Sequence, residues 1–87
     1  MAASSVEAMD RMIRMLTQLD QALVEAENQL KRDYDIVGAE WNDKQYERLG
    51  DVIGEISTSI GASYSKVSEC TIRVQQLKRA LEDYLNA

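Results

Sequence analysis

The sequence contains no histidine, no proline and no phenylalanine, and Cys70 is its only cysteine. A single thiol excludes an internal disulfide, and without histidine only carboxylates could join that thiol in binding zinc or iron. The absence of proline favours long helices without interruption. Because a chain of 87 residues buries a limited core, these absences predict one small helical domain that depends on a partner chain for part of its stability.

The chain also lacks long apolar runs and an excess of basic residues. Its formal charge of −5 argues against binding to a nucleic-acid backbone. No apolar stretch approaches the ~20 residues of a membrane span, and the Met-Ala-Ala-Ser-Ser start lacks the basic and apolar regions of a cleaved signal peptide. We therefore expect a cytoplasmic protein, or one secreted without a cleaved signal, that neither binds nucleic acid nor inserts into membranes.

The first half of the chain has the periodicity of an amphipathic helix. Ser4 and Glu7 match a capping box at the helix start. Apolar residues then recur at steps of three and four, which is the spacing of a coiled-coil seam: Met9, Met12, Leu16, Leu19, Leu23, Ala26 and Leu30.

This apolar stripe is wider than one neighbouring helix requires. The residues that widen it are Ala8, Ile13, Met15 and Ala22. A stripe of this width predicts more than one helical neighbour. Met9, Met12 and Met15 are interpreted either as ordinary core residues or as an adaptable surface for a separate partner.

The stretch around the only tryptophan, Trp41, has the features of a hairpin turn. Gly38 is predicted to end the first helix as its C′ residue. Asn42 is the predicted N-cap of the second helix, with Gln45 completing a capping box. Trp41 and Tyr46 would then pack as a hydrophobic staple, although Trp41 is equally well explained as a recognition residue, and the two roles are compatible.

The second half of the chain carries the strongest periodic signal. Its seam again advances by three and four: Tyr46, Leu49, Ile53, Ile56, Ile60, Ser63, Val67, Cys70, Val74, Leu77, Leu81 and Tyr84. The pattern predicts an all-α antiparallel two-helix hairpin with coiled-coil-like packing. Helix one is expected over about 5–36, the turn over 37–42 and helix two over about 43–86. Cys70 is interpreted as a small buried apolar residue.

Small residues follow a second stripe beside this seam. They are Gly50, Gly54, Ser57, Gly61 and Ser68. Each glycine in a helix costs roughly 0.5–1 kcal/mol relative to alanine, so three on one side call for an explanation. We expect close packing of another helix, which is either the first helix of the hairpin or a helix of a second molecule. The alternative explanation is a flexible or poorly forming helix.

The two predicted helices differ in length, at about 30 and about 44 residues. Folding back at the turn would leave the end of the second helix unpaired. The apolar residues of this predicted overhang are Leu77, Leu81, Tyr84 and Leu85. An exposed apolar overhang predicts either an interface with a partner or a frayed tail.

No arrangement of residues in the sequence indicates catalysis. There is no nucleophile paired with a base, no phosphate-binding glycine loop and no basic patch with interleaved aromatic residues. We therefore expect no enzymatic activity, no cofactor, no metal and no small-molecule substrate.

Two helical segments hinged at a tryptophan resemble the Trp-Xaa-Gly superfamily of bacterial type VII secretion, whose members are small helical hairpins. The corresponding motif is Trp41-Asn42-Asp43, followed by Tyr46. Asp43 occupies the place of the family's glycine. The partner proteins of that family often carry an export signal after helix two, in which an acidic residue follows a tyrosine by four positions, and no tyrosine of this chain has an acidic residue there. The resemblance is therefore nearer to the small helical proteins that pair with the targeting domain of LXG-type toxins.

This resemblance implies a chaperone-like targeting subunit. Its partner would be the helical domain of a larger secreted toxin or a second small helical protein, and the two chains would form a four-helix bundle. The turn residues Trp41, Asn42, Asp43 and Tyr46 would contribute to recognition by the secretion machinery. Two alternative functions also fit the sequence. One is a structural coiled-coil homo-oligomer such as a homodimer, and the other is a small antitoxin or regulator.

Overall fold

The computed structural model describes the backbone of residues 2–87 and the side chains from Ser4 onward. Two α-helices pack against each other, α1 over Ala2–Glu40 and α2 over Lys44–Leu85. The resulting rod measures 66 × 16 × 14 Å. The predicted all-α helical hairpin is confirmed, and the four-helix bundle with a partner stays a prediction.

Asp43 is the N-cap of α2, so the prediction of Asn42 as the N-cap is wrong. The Asp43 backbone is extended, and its carboxylate oxygen Oδ1 accepts hydrogen bonds from the N–H groups of Gln45 at 2.9 Å and Tyr46 at 3.0 Å. A carboxylate at this position also suits the positive end of the helix dipole. The predicted capping box with Gln45 is therefore wrong as well.

The end of α1 lies beyond the predicted boundary. The helix passes through Gly38 and ends at Glu40, and the Trp41 N–H still donates to the Val37 carbonyl at 2.8 Å. No glycine in the described part of the chain has a positive φ. Gly38 is therefore not a left-handed C′ residue, and the prediction of Gly38 as the end of the first helix is wrong.

The two helices are nearly equal in length, and the predicted overhang is wrong. α1 has 39 residues and α2 has 42. Because α1 already begins at Ala2, Ser4 lies inside the helix and the predicted capping box with Glu7 is wrong too. At the open end of the hairpin, the Lys78 ammonium lies 2.6 Å from the Asp10 carboxylate, so the end of α2 packs beside the start of α1.

The interior of the hairpin is thin. Among the side chains from Ser4 onward, only Ile53, Val67 and Val74 are buried, with 7–8% of their surface exposed. Further positions are partly buried, and they include Val6, Met9, Ile13, Leu16, Asp20, Leu23, Tyr34, Gly50, Ile60 and Leu81. One oxygen of Asp20, Oδ1, is buried there and has no hydrogen-bond partner.

Only part of each predicted seam faces the other helix. In α2 the inward series runs through Ile53, Val67 and Val74, whereas the alternate seam positions lie on the surface. Those exposed positions include Leu49, Ile56, Cys70 and Leu77. The interpretation of Cys70 as a buried residue is therefore wrong.

In α1, too, alternate positions of the predicted seam lie on the surface. Met9, Leu16 and Leu23 are partly buried, whereas Met12 and Leu19 remain exposed. A single neighbouring helix covers only about half of a wide apolar stripe, so the other half is left on the surface.

Candidate partner-binding face

The exposed halves of the two seams lie on one side of the hairpin. Ala8, Met12, Met15 and Leu16 of α1 line a surface groove together with Cys70 of α2. Cys70 also lines an adjoining groove with Val74 and Leu77. The two helices therefore contribute to a common surface, which we call the apolar face.

The apolar face extends from these grooves toward the hinge. Leu19 and Ala26 follow Met12 at steps of seven residues. Leu49 and Ile56 lie at the same heptad position of α2 as Cys70, with the polar Ser63 between Ile56 and Cys70, so they continue the same stripes. Its principal members are Met12, Met15, Leu19, Leu49, Ile56, Cys70 and Leu77. Met15 and Leu77 toward the open end are 61% and 59% exposed, and Leu49 near the hinge is 46% exposed, so large apolar side chains are in contact with water along much of the rod.

The opposite side of the open end is polar. The hollow between the helices on that side is lined by Asp10, Arg14, Gln75, Lys78, Arg79 and Glu82, with Ile13 as the only apolar member. The Asp10 carboxylate raises the pKa of the Lys78 ammonium. The hairpin is therefore two-sided, with one apolar face and one face that carries charged groups.

At the hinge, Trp41 is 64% exposed. Because the N-cap is Asp43, the staple positions fall on Asn42 and Glu47, and the predicted staple between Trp41 and Tyr46 is wrong. The pKa of Asp43 is lowered, chiefly by the Tyr46 N–H and next by the Trp41 side chain. The hinge thus presents a large exposed indole beside an anchored carboxylate.

Tyr46 instead packs on Tyr34 of α1. The rings are stacked with centroids 4.1 Å apart and planes 4° from parallel. Each hydroxyl donates to the backbone carbonyl of the other tyrosine, at 3.1 Å from Tyr34 and 3.0 Å from Tyr46. Burial raises the pKa of Tyr46.

Two glycines make room for this arrangement, which we call the tyrosine clasp. A Cβ on Gly38 would overlap the Tyr46 hydroxyl, and a Cβ on Gly50 would overlap the Tyr34 hydroxyl. Each glycine follows the tyrosine of its own helix by four residues, so the clasp is nearly symmetric. Gly50 thus packs within the hairpin, as one of the two predicted alternatives requires, whereas Gly54 and Gly61 have open space beside them.

Apart from the exposed Gly54 and Gly61, the predicted interface residues fall into three groups. Met12, Met15 and Leu77 lie together on the apolar face, and Tyr84, 79% exposed, continues the Cys70 and Leu77 stripe at the open end. Met9, Leu16, Gly50 and Leu81 are partly buried within the hairpin. Leu85 lies beside Val6 at the open end.

Sequence reasoning missed the surface role of Leu49, Ile56 and Cys70, and it missed the pairing of Tyr34 with Tyr46. The first three were assigned to the buried seam, and the width of the stripe was the signal that some of its members must be exposed. For the clasp, the signal was the repeated spacing of Tyr34 with Gly38 and of Tyr46 with Gly50.

The described residues therefore define an all-α helical hairpin with one uncovered apolar face. No protein-family model, no curated protein and no solved structure matches this chain. Within residues 2–87, neither helix contains a stretch apolar enough to cross a membrane.

Proposed function

We propose that this protein is a non-enzymatic helical subunit that pairs with the helical domain of a larger protein. The observation that supports this most is the apolar face, which neither helix of the hairpin covers. Contiguous exposed apolar surface on a soluble chain usually marks an interaction site. Two helices with such a face can be completed into a four-helix bundle by two further helices.

The free energy of apolar burial favours a state in which a partner covers the apolar face. Burying one exposed Leu, Ile or Met side chain completely contributes about 1.5–3 kcal/mol. Several such side chains lie on the apolar face, whereas only three residues from Ser4 onward are buried in the hairpin itself. A partner that covers the face would therefore add apolar burial to the thin interior of the hairpin, and it would stabilise the fold on binding.

The resemblance of the hinge region to small helical proteins of type VII secretion suggests a particular role. In that role the protein is a targeting factor for an LXG-type toxin, and the bundle presents the toxin for export. The hinge, with its exposed Trp41, would remain free at the tip of the bundle for recognition. The Asp43 carboxylate, held by the start of α2, would keep this tip in one conformation.

Co-expression with a helical domain encoded by an adjacent gene tests the pairing. We expect a stable complex by size-exclusion chromatography with the wild type. Leu77→Asp should abolish it, because the substitution places a charge on the apolar face. The matched control is Ile72→Asp on the same helix. Ile72 is similarly exposed at 50%, but every other residue that lines its hollow is polar or charged, namely Ser65, Ser68, Glu69, Arg73 and Gln76.

The outcomes separate the possible functions. Loss of pairing with Leu77→Asp alone supports the proposal, whereas equal pairing by both variants contradicts it. A wild-type chain that forms a stable homo-oligomer and ignores the neighbouring domain would favour the structural coiled coil. For the export role, a Trp41→Ala variant should still pair but no longer be exported, and normal export of that variant would refute a signal at the hinge.

A further inference from the structure

The open end of the apolar face has a charge pattern that specifies its partner more closely. The two adjoining grooves there, which we call the Cys70 groove, are lined on α1 by Ala8, Arg11, Met12, Met15 and Leu16. On α2 they are lined by Lys66, Glu69, Cys70, Arg73, Val74 and Leu77. The lining thus combines apolar side chains and the thiol with charged groups from both helices, which we call the charged edges of the groove.

The charged edges of the groove are predominantly cationic. Arg11 lies on the α1 edge, and Lys66 and Arg73 lie on the α2 edge. Glu69 is the only acidic residue lining the groove, and it pairs with both α2 cations, at 3.2 Å from Lys66 and 3.8 Å from Arg73. Three cations against one carboxylate leave the groove positive, although the chain as a whole has a formal charge of −5.

We propose that the Cys70 groove binds an amphipathic helix whose apolar stripe is flanked by acidic residues on both sides. This inference rests on the proposed function and adds the chemistry of the partner to it. The groove between two helices that lie side by side can accommodate a third helix along its length. The methionine side chains adapt to the apolar residues of that helix. Cations on both edges then favour acidic flanks and disfavour basic ones, which sets specificity more than affinity.

Two synthetic peptides provide the probe. Each has about three heptads with leucine and isoleucine at the apolar positions, and the flanking positions are glutamate in one peptide and lysine in the other. Binding is measured by fluorescence anisotropy of the labelled peptide at low and high salt. The wild type should bind the glutamate peptide about tenfold more tightly than the lysine peptide, and salt should reduce this difference.

Charge reversal of the groove should invert the preference. We expect Arg11→Glu with Arg73→Glu to bind the lysine peptide more tightly than the glutamate peptide. The matched control is Arg14→Glu with Arg79→Glu, which changes the net charge equally but on the polar side of the hairpin. This control should keep the wild-type preference, and inversion requires a folded protein, so a misfolded variant cannot imitate it.

The thiol reports where the peptide binds. Cys70 is the only cysteine and is exposed, so its reaction with a thiol reagent should be fast in the free protein. We expect the glutamate peptide to slow this reaction at concentrations that saturate the anisotropy signal. Unchanged thiol reactivity at saturation would place the peptide elsewhere and overturn the assignment to the groove.

The remaining outcomes distinguish this inference from the proposed function. Equal binding of both peptides overturns the acidic partner but leaves a helix-binding face in place, and failure to bind either peptide counts against both proposals. Preferential binding to anionic phospholipid vesicles, without peptide binding, would assign the groove to a membrane surface instead. Self-association of the wild type that Arg11→Glu with Arg73→Glu abolishes would assign it to a second copy of the chain.

Discussion

Tyr34 and Tyr46 hold the hinge end of the hairpin together by donating their hydroxyl groups to each other's backbone carbonyls, at 3.1 and 3.0 Å. Their rings stack face to face between these two bonds. The contact joins residues twelve positions apart across the turn. It fixes the relative position of α1 and α2 where the chain reverses, and therefore helps to set which side chains face inward along the rod.

Alanine at either clasp glycine should destabilise the hairpin. In Gly50→Ala the new methyl group overlaps the Tyr34 hydroxyl, so the ring must shift and lose both its hydrogen bond and its stacking. We expect a loss of about 1–2 kcal/mol in the free energy of unfolding, measured by chemical denaturation.

The matched control for this substitution is Gly54→Ala, on the same helix one turn later. Because nothing lies within 4 Å of a Cβ at Gly54, helix propensity alone decides the effect. The control should therefore stabilise the protein by about 0.5–1 kcal/mol. Effects of the same sign at both glycines would contradict the clasp.

Sequence patterns could predict the hairpin but not the details of its turn. Helix periodicity and the lack of proline were sufficient to predict the hairpin and the position of its hinge near Trp41. They were not sufficient for the cap, because Asn42 and Asp43 are both good N-cap residues and only three-dimensional geometry selects between them.

The packed side of each helix was harder to predict than the helix itself. A heptad with three apolar positions offers two alternative pairs of positions that could face the neighbouring helix. The spacing of apolar residues in the sequence does not show which pair is buried. The tyrosine clasp and the ion pair between Asp10 and Lys78 fix the register, and both join residues far apart in sequence. The exposure of Leu77 and Cys70 follows from that register.

The Asp43 cap should make the stability of α2 depend on pH in acid. The pKa of Asp43 is lowered from its ordinary value of 3.8 in the folded protein, so the unfolded chain binds its proton first as the pH falls. The stabilisation is present above 3.8 and is lost as the pH drops through the folded-state pKa. Asp43→Asn should retain much of the cap but show a weaker decline of the melting temperature below this pH.

Asp51→Asn serves as the control for that titration. Asp51 is an exposed acidic residue about two turns further along α2 and does not cap the helix. Its substitution should leave the acid-induced decline of the melting temperature close to that of the wild type. An unchanged decline in Asp43→Asn would show that the cap contributes nothing to the pH dependence.

Replacement of Asp20 by leucine should stabilise the hairpin. One Asp20 carboxylate oxygen is buried without a hydrogen-bond partner in a seam that is otherwise largely apolar. Removing this unpaired polar group and adding apolar contact should raise the free energy of unfolding by about 1–3 kcal/mol, measured by chemical denaturation. The exposed substitution Asp51→Leu should change it by less than about 0.5 kcal/mol, and a destabilised Asp20→Leu variant would contradict this prediction.

The methionine methyl groups on the apolar face report directly whether a partner covers that face. In protein labelled with 13C at the methionine methyls, a soluble paramagnetic agent should relax Met12 and Met15 more strongly than the partly buried Met9. When the partner's helical domain is added, Met12 and Met15 should become protected from this relaxation. Continued relaxation of both methyl groups in the assembled complex would contradict it, because the partner would then bind somewhere other than the apolar face.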